Sequence, residues 1–383
     1  MDEAELRRAL HERPVPGERE ARERTLRVVR AAHAAEALSP AGRRRLMRPA
    51  LVVLAALLAL GTGLSPAGAD VRRWIGDRLD PDPSLSRLPS GGRLLVSSPQ
   101  GAWVVHSDGS LRRLGDYSSA GWSPHGLFAV ATSGPRVYAV EPDGTVRWSI
   151  VRPGIVGHPA WSPGDGFRVA YLEGSRMRVV AGDGSGDRLV ARAVAQVTPA
   201  WRPGAGYVVS YATRGGRIVT RDTDSGRVLW TARGGAAAAQ LAWTADGSRL
   251  VALAGDSVLT YARDGSPGVR RTLPPGSSAS VMAVHPSGRS VAVAGSAGGV
   301  IAVGLDGATR KLFDGAGRFT GLAWSPDGRW LAAGWRSAGQ WVFVRSPGAT
   351  GARRVVTFSR IAEQLDPGGA SEFPRIEGWC ACR

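Results

Sequence analysis

At 383 residues, with 43% hydrophobic residues and 52 glycines, the chain has room for one large, turn-rich domain and an appendage. Its formal charge of +17 comes almost wholly from arginine, since Lys311 is the only lysine. The arginines are spread through the sequence without one block, which argues against a dedicated nucleic-acid site. Cys380 and Cys382 are the only cysteines, too few for a disulfide-stapled scaffold.

Residues 1–48 differ from all that follows. Asp2 to Leu10 reads as a short helix running from acidic to basic, broken at Pro14-Val15-Pro16-Gly17. Glu18 to Leu38 reads as a second, densely charged helix ended by Ser39-Pro40. This segment is expected to be a charged, partly disordered tail, with a docking helix for a cytoplasmic partner as the functional alternative. From Pro49 to Ala69 the chain carries no charge over 21 residues, which as a helix spans roughly 30 Å, the thickness of a hydrocarbon core. Arg43, Arg44, Arg45 and Arg48 precede it and place the N-terminus in the cytoplasm. Ala67-Gly68-Ala69 would also suit signal-peptide cleavage, but the long patterned region upstream points to an uncleaved anchor. Residues 70–87 follow as a juxtamembrane amphipathic segment, with Val71, Trp74, Ile75 and Leu79 on one face, and the stiff spacer Asp80-Pro81-Asp82-Pro83.

From Leu88 onward the chain repeats itself. The cores GWSPHG at Trp122, AWSPGDG at Trp161, AWRPGAG at Trp201, AWTADG at Trp243, AVHPSG at Val284 and AWSPDG at Trp324 recur at intervals of 39, 40, 42, 41 and 40 residues. That period is one four-stranded propeller blade. Each copy predicts an inner strand ending on Trp, its indole between blades, then a tight turn set by Pro and Gly. Two alternating strands follow, as in Arg329 to Ala333 and Trp341 to Val344. A second turn at Asp143-Gly144, Asp183-Gly184, Asp224-Ser225-Gly226, Asp264-Gly265 or Asp306-Gly307 then leads to an outer strand. The first copy, Pro89 to Leu94, lacks its inner strand, and Phe373 to Cys380 supplies an inner strand with nothing after it. The expected fold is therefore all-β: a seven-bladed propeller over 88–383, closed by the C-terminal strand and preceded by N-terminal helices and one transmembrane helix. Closure removes the free sheet edge.

These motifs resemble the WD40-like repeats of the TolB-type β-propeller from about Leu88 to Cys380. The Gly-His and Trp-Asp pairs of true WD40 repeats are absent. What the resemblance implies is the fold.

Catalytic grammar is missing. No G-x-S-x-G elbow or H-E-x-x-H occurs, and His106, His125, His158 and His285 fall in different blades at unlike positions. No catalytic residue, metal or cofactor is expected. Gly182 to Asp187 superficially resembles a phosphate or calcium loop but occupies the Asp-Gly turn of its blade. Cys380 and Cys382 are expected to be free thiols, because a two-residue spacing suits a bridge poorly in an extended strand; an intermolecular disulfide or a metal thiolate is the alternative.

Binding is expected at the loops joining neighbouring blades around the channel. The candidate residues are Trp335, Arg336, Gln340 and Trp341, with Arg318, Phe319, Gln364, Asp366, Arg152 and His158. Trp and Arg together give the flat area and directional donors of an interface hot spot. The leading expectation is a non-catalytic, membrane-anchored binding or scaffold module whose propeller stands outside the cell membrane and takes an envelope protein, a peptide or a glycan. The alternatives are a transmembrane signalling component of the anti-sigma kind, with 1–48 as output, and a propeller lactonase or lyase.

Overall fold

The computed structural model describes residue 85 and residues 87–382, apart from 165–166, 205, 234–235, 275–276, 278, 296–298, 350–354 and 366–371. The expected tail 1–48, the expected span 49–69 and residues 70–84 lie outside the described residues. Among the described residues no helix is long and apolar enough to cross a membrane.

Every Trp-Ser-Pro repeat becomes one antiparallel four-stranded sheet, and the sheets number seven. Blade 1 joins the two ends of the domain: its strand order is Arg375–Cys380, Arg93–Ser98, Gly101–Val105, Leu111–Gly115. Leu94 pairs with Trp379 and Arg93 with Cys380, so the last strand is the inner strand of the first blade. The other blades each run inner to outer in chain order, as in Phe319–Trp324, Trp330–Trp335, Gln340–Arg345 and Val355–Phe358 of blade 7. Inner strands of successive blades touch one another, and that of blade 7 touches the closing strand, which seals the ring.

Several repeat tryptophans act as the period foretold, while Trp122 Nε1 is buried without a hydrogen-bond partner among the described residues. Trp201 Nε1 donates to Ala160 O at 3.0 Å and Trp324 Nε1 to Ala283 O at 3.0 Å, each reaching the inner strand of the preceding blade. Trp243 Nε1 donates to Ser210 Oγ at 3.1 Å. In the closing strand, Trp379 Nε1 donates to Gly91 O at 3.0 Å. Each indole thus buries a large apolar surface, a stabilisation of roughly 2–3 kcal/mol, and satisfies its one donor. Blade 6 has Val284 instead, and there His285 bonds across to Gly328 O at 3.0 Å. A second set of tryptophans works at the rim of the wheel. Trp148 and Trp230 in outer strands donate to Gly182 O and Arg263 O of the next blade. Their rings cover Gly184 and Gly265, where φ is +87° and +92° and a Cβ would meet the indole. These glycines serve a turn and a close approach at once.

Two features depart from the sequence reading. The connection before the closing strand contains a helix, Ile361–Leu365, whose buried Ile361 and Leu365 pack with Leu85, Leu88 and Phe358 over the seam of blades 7 and 1. Cys380 and Cys382 form a disulfide, with Cα atoms 5.2 Å apart. The free-thiol expectation assumed an extended strand. The strand ends at Cys380, and Cys382 has φ +40°, so the chain folds back far enough to bridge.

Candidate functional site

Alternation of strand direction sorts the connections onto two faces. Inner-strand Trp turns and the Asp-Gly turns all lie on one, which we call the turn face. The second-to-third strand turns and the connections between blades lie on the other, the loop face.

The turn face is chemically closed. Oδ1 of Asp108, Asp143, Asp183, Asp264 and Asp306 accepts the backbone N–H two residues on, at 2.9–3.0 Å. Asp246 and Asp327 do the same in inner turns. These are Asx turns, in which a side chain stands in for a backbone acceptor. The bonds hold the carboxyls of Asp108, Asp143, Asp183, Asp246 and Asp264 below the ordinary range. Gly182 to Asp187 is such a turn, as the sequence indicated.

The loop face is open. A pocket of about 550 Å³ lies where blades 7, 1 and 2 meet. Its wall takes Ser97 and Gln100 from blade 1, Asp116, Tyr117 and Ser118 from the connection to blade 2, Arg336 from blade 7, and Glu372, Phe373 and Arg375 from the lead into the closing strand, so that two carboxylates face two guanidiniums. Ser97 is only 6% exposed and its Oγ has no hydrogen-bond partner, although it lines this pocket. A buried hydroxyl left unmatched costs about 1–3 kcal/mol, and Ser97 Oγ lies beneath the pocket surface rather than on it. Arg375, its cross-strand neighbour, bonds to Glu377 Oε1 at 2.7 Å. The Arg336 guanidinium is exposed and has no partner among the described residues.

At the inner end of the loop face, strand pairing slips at Gly157–Ala160, Ala238–Gln240, Ala279–Val281, Phe319–Leu322 and opposite Leu95–Val96. Bulges re-aim side chains, here His158, Ala239, Ser280, Thr320 and Glu377. His158 has φ +54° and its Nδ1 lies 3.3 Å from Thr198 Oγ1. Burial first, then the Arg375 charge, pushes its pKa below the ordinary 6.5.

The structure sorts the residues singled out from the sequence. Arg336 lines the pocket, and Arg318 is exposed on the same face, its N–H bonded to Ser337 Oγ at 2.8 Å. Trp335 is half-buried, donates Nε1 to Ala316 O at 3.0 Å and stacks on Phe319 at 6.2 Å. Two residues are corrected outright. Trp341 is 0% exposed within the core of blades 7 and 1, and Phe319 is 5% exposed, because Trp341 is the second residue and Phe319 the first of strands in which these side chains turn inward; neither is a rim contact. Gln340 and Gln364 are spent internally: Gln340 Nε2 donates to Ser359 Oγ, while Gln364 accepts Leu85 N–H and donates to Ser359 O. Arg152 belongs to a polar network in blade 3 with Asp187 at 3.0 Å and Glu173 at 3.8 Å, joined by Arg178 and by Tyr171 Oη, which donates to Asp187. Asp366 lies outside the described residues. Ser97, Tyr117 and Phe373 went unnoticed, since nothing in a Ser-Ser-Pro turn or a lone Phe signals that ring closure brings them together. Among the described residues no three His, Cys, Asp or Glu side chains come together in a cluster.

No family model and no curated protein matches the chain. Solved structures do. One is a crystal structure of the Mitotic Checkpoint Complex, with TM-score 0.54 and 18% identity over 63% of this chain and 76% of that one. Another is the Cps50 (Swd1) β-propeller domain of Myceliophteria thermophila, with TM-score 0.54 and 14% identity over 64% of this chain and 94% of that one. At such identities the likeness is one of fold, and the fold is a β-propeller.

Proposed function

We propose that the protein is a non-catalytic binding module that receives a protein or peptide partner on the loop face, at the pocket where the ring closes. The observation that supports this reading is the pocket itself: about 550 Å³, lined by hydroxyls and two aromatic rings, with Arg336 and Arg375 balanced by Asp116 and Glu372. Propellers offer such mouths because the strands hold the connecting loops in fixed places. One neighbour in fold comes from a crystal structure of a complex, which is in keeping with a partner-binding use. The repeat grammar resembles TolB-type propellers, and we take that resemblance to bear on the fold rather than on the partner.

The same proposal sets residues 49–69 across a membrane, with 1–48 in the cytoplasm and the propeller outside. Its support is the uncharged run and the arginines at 43, 44, 45 and 48. A periplasm-dependent reporter fused after Arg383 should be active, and activity only of a cytoplasmic reporter would reverse the orientation.

Site-specific photo-crosslinking tests the face. A benzophenone side chain in place of Gln100 or Arg336 should trap a discrete partner, whereas one in place of Val146, exposed on the turn face, should not. Equal trapping from Val146, or trapping from Val146 alone, would overturn the reading.

A further inference from the structure

Charge is unevenly spread around the loop face. At the closure of the ring the arginines meet Asp116, Glu363 and Glu372. Across blades 2, 3 and 4 they meet almost no acid. The turns and connections there span 133–136, 150–158, 172–176, 189–199, 212–217 and 231–238, and their one carboxylate is Glu173. It is 4% exposed and committed to Arg152 and Arg178. The same segments present Arg136, Arg176, Arg192, Arg214, Arg217 and Arg233, all exposed and without an ion-pair partner among the described residues. The turn face of these blades is different, for Glu141 pairs there with Arg147, and Asp224 with Arg168 and Arg188.

Backbone hydrogen bonds join the loop-face segments into one ridge. Arg152 N–H donates to Pro135 O, Gly174 N–H to Ile155 O, Val194 N–H to Ser175 O and Arg214 N–H to Ala193 O, all at 2.8–3.1 Å. The arginines are thus carried on backbone fixed from blade to blade. Arg217 and Arg233 stand directly opposite each other in paired strands, where like charges repel. An anionic surface laid over the ridge relieves that repulsion. The ridge also has an apolar crest. Ile155 is 71% exposed, more than any other large hydrophobic side chain among the described residues, and Val151, opposite Arg136, is 54% exposed. None of the six segments contains Phe, Tyr or Trp, which sets the ridge apart from platforms where nucleic-acid bases stack on aromatic rings. Aliphatic tips flanked by guanidiniums suit a lipid headgroup layer, where the tips reach acyl chains and the guanidiniums take phosphates.

We infer that the loop face of blades 2–4 rests on an anionic phospholipid surface, with Ile155 and Val151 between headgroups and the six arginines on their phosphates. The pocket at the closure, walled from blades 7, 1 and 2, is a separate feature, and the inference does not depend on it. The proposed span at 49–69 would keep such a surface within reach of the ridge.

The test uses the full chain in nanodiscs of phosphatidylcholine, alone or mixed with phosphatidylglycerol. An NBD label on I155C, the one free thiol while Cys380 and Cys382 are bridged, reports entry into lipid. Its emission should rise and shift to the blue only with phosphatidylglycerol, and R136Q/R176Q/R192Q/R214Q should cut that gain at least ~5-fold. A label on V151C should report the same gain, and I155D in that background should remove most of it. The turn-face variant R227Q/R263Q/R289Q should change the gain less than ~2-fold, since salt screens distant charges. A label on L127C, 56% exposed on the turn face, should show none. Equal gain in phosphatidylcholine alone, equal gain from L127C, or no gain from I155C would each overturn the inference. Tighter binding of a DNA duplex, lost in the same four-arginine variant, would overturn the lipid assignment. Flotation of the unlabelled chain with phosphatidylcholine vesicles reports the span at 49–69 by itself; if the chain does not float, the same labels are read with mixed vesicles added from outside.

Discussion

The turn face and the loop face are made by the same seven sheets, yet one is nearly the same in every blade and the other in none. On the turn face the repeated Asp side chains bond to their own turns, and Trp201 and Trp324 bond to the preceding blade, so side chains are consumed by folding. On the loop face the second-to-third strand turns range from Gly134-Pro135 to the segment Arg336–Ala338, and the blade connections lengthen to the Ile361–Leu365 helix. Repetition marks what the ring needs in order to close. Irregularity marks where side chains are left over for a partner.

The contrast can be broken most severely at the seal. Gly321 in the inner strand of blade 7 faces the Ile376 backbone of the closing strand, where any Cβ would collide. Gly321→Ala is expected to lose about 2–3 kcal/mol in urea unfolding, an overpacking cost borne by backbone that cannot move aside. Trp324→Phe keeps the ring contact but strands Ala283 O, and should cost about 1–2 kcal/mol in the same measurement.

Acid sharpens the comparison, because the faces titrate in different windows. His158 has a depressed folded pKa, so the unfolded chain takes up a proton first as pH falls below 6.5. Stability should decline from there until the folded pKa is passed, and His158→Gln should flatten that limb. The turn-face carboxyls are also depressed, from 3.8. Their contribution is present above that value and is lost as pH falls through the folded pKa. The D143N/D183N/D264N variant should therefore show a weaker decline below about pH 4 than the parent, with the limb near pH 6 unchanged. The smallest expected effect is on folding by the loop-face arginines: R318Q/R336Q/R360Q should unfold within about 0.5 kcal/mol of the parent, whatever it does to binding, because exposed side chains without partners hold little of the fold together.

How much of this was legible beforehand differs between the same two faces. The period of Trp residues and the Asp-Gly turns gave the blades, their order and the place of the C-terminal strand in the first blade, because those signals are local and recur. Arg318 and Arg336 could be found as candidates since surface arginine beside aromatic residues is visible in one dimension. Trp341 and Phe319 looked identical to them there. Only the direction of strands 319–324 and 340–345 decides that these two point inward. The network around Arg152 was equally hidden, as its members come from residues 152, 171, 173, 178 and 187.

The amino-acid order alone settled that the domain is a ring of seven sheets, for strand length, turn chemistry and indole spacing are all written within about forty residues of one another. What the tertiary structure decided was contact across the seal: the pocket walls, the unmatched Ser97 hydroxyl and the Cys380–Cys382 bridge. Those depend on which side of a strand faces a neighbour far away in the chain, and no local preference encodes that.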